Sequence, residues 1–125
     1  TSCDVLINPC AGEGFGLLPR EFAATGGVSL TTEWSGTADD MDKWGWPLPH
    51  RLDTADWSAQ TNLPAQDFGV WAWPDIEGAA QVLRDVAGNI DAYTDEAYQK
   101  AQNVHSLYSW QRFAQQVQGV WEGLR

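Results

Sequence analysis

The segment from Asp4 to Thr32 most constrains the fold. It holds a short apolar run, Asp4-Val5-Leu6-Ile7-Asn8, closed by Pro9. A glycine-rich turn follows, Ala11-Gly12-Glu13-Gly14-Phe15-Gly16, and then Leu17 to Thr25 reads as a helix. Pro19 suits the helix's first turn, where a missing N–H costs nothing, and Gly26-Gly27 stops it. Val28 to Thr32 is β-rich. Strand, glycine loop, helix and strand make the core of a βαβ unit, with the first strand expected to be buried on both faces of a parallel sheet. The fold class is therefore α/β: a short, Rossmann-like parallel sheet flanked by helices.

The remainder divides in two. Residues 33–74 hold six of the eight tryptophans. We expect a short helix near Thr37–Lys43, extended pieces at Trp46–Leu48 and Val70–Trp73, and a polar surface loop over Leu52–Asp67. From Asp75, a plausible N-cap, Ile76, Ala79, Ala80, Leu83, Val86, Ala87 and Ile90 repeat at helical spacing. A second helix is expected from Thr94, with Ala97, Tyr98, Ala101 and Val104 on one face. A third is expected from Ser109, with Trp110, Phe113, Ala114, Val117, Val120, Trp121 and Leu124 turned inward. The chain reads as one domain over 1–125, with a loop-rich part (1–74) and a helical part (75–125).

Charge excludes some partners. With 17 acidic and 7 basic residues the formal net charge is −10. That argues against nucleic acid, which needs Lys and Arg to displace counterions, and against docking on an anionic membrane. No apolar run reaches membrane-spanning length and no signal peptide is visible. Cys3 and Cys10, ends of one extended segment, would stand roughly 20 Å apart and read as free thiols. This points to a reducing, cytoplasmic setting. Met41 is the one methionine, and the chain reads as a processed product, a trimmed piece or a fragment.

The chemistry-bearing stretch is Glu13-Gly14-Phe15-Gly16-Leu17-Leu18-Pro19-Arg20-Glu21. Two glutamates flank a glycine turn that opens a helix. Glu13 sits past the carboxyl end of a strand, where open α/β sheets bind ligands. The amides of Phe15, Gly16 and Leu17 can face a phosphate or sugar oxygen, and Gly14 and Gly16 allow close approach. An ionised carboxylate accepts hydrogen bonds from two vicinal hydroxyls. The set suits a ligand with hydroxyls at both ends and phosphates between, such as a nucleotide sugar. The glycine spacing is not the dinucleotide fingerprint, and no Walker loop is present. As bland surface charges, Glu13 and Glu21 would do none of this.

This run resembles the Glu-x7-Glu signature of retaining GT-B glycosyltransferases of the group 1, family 4 type. The resemblance extends through "CDVLINPCAGEGFGLLPREFAATGGVSLTT", "EWSGTADDM", "WAWPDIEGAAQVLRDV" and "SWQRFAQQVQGVWEGL". It implies the second half of a GT-B C-terminal, donor-binding domain. It further implies that Glu13 meets hydroxyls of the transferred sugar, Phe15 to Leu17 meet sugar and diphosphate, and Glu21 holds the ribose. The donor would be a UDP- or GDP-hexose, with no obligatory metal. The chain departs at Leu18, Arg20 and Gly27, where proline, an apolar residue and proline are usual. It lacks the family's cationic phosphate ligands and acceptor domain, so we expect no catalysis by this chain alone. The alternative is a stand-alone, non-catalytic binding or interaction module derived from such an enzyme.

The tryptophans at 34, 44, 46, 57, 71 and 73 read first as core, and second as sugar platforms. His50 and His105 lack metal-ligand spacing. The run Asp39, Asp40, Asp42 reads as a solvated face. The missing neighbour of Val5–Ile7 leaves an apolar strand edge, for which a homodimer is expected.

Overall fold

The computed structural model describes residues 3–55 and 69–124. Its centre is a three-stranded parallel sheet in the order β1-β2-β3, formed by Val5–Asn8, Val28–Thr32 and Trp46–Leu48. The register pairs Val5 with Val28 and Leu30 with Trp46. Helix α1 (Leu17–Ala24) crosses from β1 to β2, and a 3-10 turn (Ser35–Thr37) with a four-residue α2 (Met41–Trp44) leads to β3. An antiparallel hairpin, β4 (His50–Thr54) and β5 (Val70–Pro74), makes a separate two-stranded sheet. Helices α3 (Ile76–Gly88), α4 (Ile90–Leu107) and α5 (Trp110–Gly123) complete the described chain. The mixed α/β class, with helices packed on a short parallel sheet, is thus as the sequence indicates.

Strand geometry divides the core. Alternate residues of β2 face opposite sides, and all five are buried. Val28 and Leu30 join Leu48 of β3, Ala79 and Val86 of α3 and Ala97 of α4 in one apolar cluster. On the other side Ser29 Oγ donates to Pro19 O of α1 at 3.0 Å. Ala23, Met41, Trp44 and Val104 form a second cluster, between α1, α2 and α4. Lys100 of α4 clamps the two parts. It is buried, its Nζ donates to Asp42 O, and it lies 4.7 Å above the Trp46 ring.

Several expectations are corrected. β1 is not buried on both faces: it lies at the sheet edge, and Ile7 is exposed. The helix expected over Thr37–Lys43 is split into the 3-10 turn and α2, with Asp40 in a left-handed conformation between them. Leu52–Thr54, expected as loop, is strand β4; the rest of that loop, with Trp57, falls largely outside the described residues. α4 begins at Ile90 rather than Thr94, with only Asn89 separating it from α3. The inner face of α3 carries Ala79, Val82 and Val86, while Ile76, Leu83 and Ala87 are exposed. Tyr98 on α4 is also exposed. The largest difference is α5, none of whose residues is buried.

Asp75 caps α3, its Oδ1 accepting from Gly78 N at 3.2 Å. Asp75→Ala is expected to lower stability by about 1 kcal/mol, measurable by chemical denaturation. An unchanged midpoint would show that water serves this helix end equally well.

Candidate functional site

The site is built around the loop between β1 and α1. Gly16 ends it in a left-handed conformation (φ +70) as the N-cap of α1. A Cβ there would stand 2.6 Å from Thr37 Cγ2, so glycine is required on steric as well as conformational grounds. The segment after β2 packs directly against this loop. Glu13 O accepts from Gly36 N at 2.9 Å and from Ser35 Oγ at 3.0 Å. Ala72 N of β5 donates to Ala11 O at 3.0 Å. Two separate segments therefore fix the main chain of the loop, while the Glu13 residue as a whole stays exposed.

Arg20 fastens the arrangement from beneath. It is 2 % exposed. Its Nη2 donates to Gly36 O and Asp39 O, both at 2.9 Å. The guanidinium carbon lies 4.3 Å from the Phe15 ring centroid and 4.5 Å from that of Trp44, with Tyr108 at 5.4 Å. Aromatic faces carry negative potential and can hold a desolvated cation. Among the described residues Nε and Nη1 find no acceptor. Arg20, one of the residues that depart from the resembled pattern, thus ties loop, α1 and the 36–39 segment together.

The two glutamates open into different clefts. Glu13 and Gly14 line a cavity of about 510 Å³ walled by Trp34, Ser35, Val70 and Trp71. Phe15, Leu17, Arg20 and Glu21 line another of about 530 Å³, bounded by His105, Tyr108 and Trp110. The glycine loop, with Gly14 on one side and Gly16 in its fold, separates them. The structure brings Glu13, Gly14, Phe15, Gly16, Leu17 and Glu21 into one region but puts the two carboxylates in neighbouring compartments.

Trp34 and Trp71, read from the sequence first as core and second as sugar platforms, line the first cleft, and Tyr108, which the sequence does not single out, lines the second. The excess of tryptophan signals the first two; nothing in the sequence signals Tyr108. Trp44 is core, as expected, whereas Trp34, Trp46, Trp71 and Trp73 are half-buried. Asp39, Asp40 and Asp42 are all exposed, as expected for a solvated face, while Met41 between them is buried. Lys43 donates to Asp40 and holds that carboxyl below its ordinary range, chiefly through this hydrogen bond. No cluster of three or more His, Cys, Asp or Glu side chains able to hold a metal occurs among the described residues. Cys3 and Cys10 are free thiols. No described helix is long and apolar enough to cross a membrane. Comparison with protein-family models, with curated proteins and with solved structures finds no match to this chain.

Proposed function

We propose that this chain is the nucleotide-sugar-binding part of a retaining glycosyltransferase of the GT-B kind, acting in the cytoplasm on a UDP- or GDP-hexose without an obligatory metal. The observation that carries the reading is the glycine loop standing between two clefts, each with its own glutamate. A hexose fits the Glu13 cleft, where Trp34 and Trp71 offer apolar ring faces and the carboxylate accepts from sugar hydroxyls. The diphosphate lies across the loop, near the amides of Phe15, Gly16 and Leu17 at the start of α1, where helix geometry favours an anion. The ribose lies in the second cleft, its hydroxyls on Glu21. Arg20 adds positive charge next to this path. The chain by itself binds and does not catalyse.

An NMR titration with UDP, GDP and their hexose conjugates tests this. Shifts are expected at Phe15, Gly16, Leu17 and Glu21 with the nucleotide, and additionally at Glu13, Trp34 and Trp71 with the sugar conjugate. No shift at millimolar ligand would remove the reading. Glu21→Ala is expected to weaken nucleotide binding by about 1.5–3 kcal/mol, the range for hydrogen bonds to a charged acceptor. An unaltered Kd by calorimetry would sink the assignment of Glu21.

One observation favours a second reading, a non-catalytic interaction module: the exposed apolar face of α5. Self-association also belongs to the proposal. The open β1 edge with exposed Ile7 supports it, although four residues make a short edge, and short edges pair weakly. A larger surface lies elsewhere.

A further inference from the structure

Helix α5 carries its apolar residues on one face and buries none of them. Trp110 is 85 % exposed, and Phe113, Val117, Val120, Trp121 and Leu124 are each more than half exposed. At 3.6 residues per turn, all of them lie within about 60° of Val117 around the helix axis. Given the areas that such side chains present, the face amounts to roughly 700 Å², above the largest patch usual on a monomer. It is not a scatter of single exposed residues. It requires an occupant.

We infer that this face pairs with the same face of a second copy of the chain. Three observations choose that occupant. First, the surface is self-complementary. Phe113, Val117 and Trp121 form an i, i+4 ridge, and an apolar groove runs along each side of it, one reaching Val120 and Leu124, the other Trp110 and Ala114. Ridges of this row interdigitate with the grooves of an identical helix at a crossing angle of about −50°. A two-fold axis at Val117 sets Trp110 of one copy beside Leu124 of the other, and Phe113 beside Trp121. Second, the area matches: two such faces bury about 1,400 Å², within the range of stable interfaces.

Third, the charges match a self-contact. The rim nearest the face is made of Gln111, Gln116 and Gln118, all neutral. The only charged residues of α5, Arg112 and Glu122, project about 140° away from Val117. The copies therefore meet through an uncharged seam although each carries a net charge of −10. A membrane surface fits less well. Helices that lie on lipid are rich in Lys and Arg on their polar face, and α5 has one arginine.

Sedimentation velocity of the whole chain, from micromolar to a few hundred micromolar, reads the proposal. A reversible dimer is expected, with Val117→Glu raising its dissociation constant at least 100-fold at an unchanged circular dichroism spectrum. In a Cys3→Ser, Cys10→Ser background, Val117→Cys is expected to form a disulfide-linked dimer on mild oxidation, because residues on the two-fold axis face each other within reach. A monomer at several hundred micromolar overturns the proposal and leaves the face to a different partner. A dimer weakened by Ile7→Lys but untouched by Val117→Glu overturns it in favour of the β1 edge. Both outcomes are independent of whether the chain binds nucleotides.

Discussion

Replacing Arg20 by alanine is expected to lower stability by about 3 kcal/mol or more, corresponding to roughly 10 °C in Tm for a chain of this size. The arginine donates to Gly36 O and Asp39 O and fills the space between Phe15, Trp44 and Tyr108. Alanine leaves two inward-facing carbonyls without their charged donor and a void among three rings. One effect opposes this. A buried cation with no carboxylate partner costs desolvation energy, and removing it returns part of that energy. Arg20→Met separates the terms, since it keeps the stem's bulk and drops the donors. Met is expected to fall between Arg and Ala in urea denaturation. A methionine variant as stable as the parent would mean that the hydrogen bonds only offset the burial of the charge.

The second large effect is expected at Gly36. A Cβ there would stand 2.1 Å from Gly14 O, 2.5 Å from Gly14 C and 2.8 Å from Glu13 O. All three obstacles are backbone, so no side chain can swing away. Gly36→Ala must part the two segments and break the bond from Gly36 N to Glu13 O. We expect a loss of about 2–3 kcal/mol, in line with forced overpacking. Under the proposed function, the loop amides are also expected to show no nucleotide-induced shifts in this variant. Gly12→Ala is the control: a Cβ at Gly12 meets nothing within 4 Å, and a surface change of this kind stays within about 0.5 kcal/mol. Equal behaviour of the two variants would show that the loop contact holds nothing in place.

Legibility in the sequence followed how local each signal is. The strand, glycine loop, helix and strand over 4–32 could be read because proline, paired glycines and apolar runs act on the chain nearby. The caps at Asp75 and Ser109 are equally local, and both side chains accept from the amide three residues on. Strand β4 could not be read, since Arg51, Leu52, Asp53 and Thr54 are all exposed and leave no alternation. Periodicity identified the apolar face of α5 but could not say whether anything covers it. The same limit put Ile76 and Leu83 on the inside of α3, although contacts with the sheet select Ala79, Val82 and Val86. Arg20 was the least legible: a charged side chain beside Glu21 reads as surface, and only the fold brings three aromatic rings around it. In the candidate site, Glu13 to Leu17 and Glu21 stood out through type and spacing. Trp34, Trp71 and Tyr108 reach it from distant parts of the chain.

The tether on the glycine loop ends at the carbonyl of Glu13, with Gly36 N and Ser35 Oγ as donors. A carbonyl is supplied by every amino acid. The tether on the loop therefore does not depend on which side chain position 13 carries, whereas the sugar contact proposed above depends on that side chain directly. If the proposed function holds, residue 13 can be exchanged as an interchangeable part, altering ligand preference in a single step while Gly36 and Arg20 keep the scaffold constant. Descendants of one such fold could diverge in what they bind long before they diverge in shape.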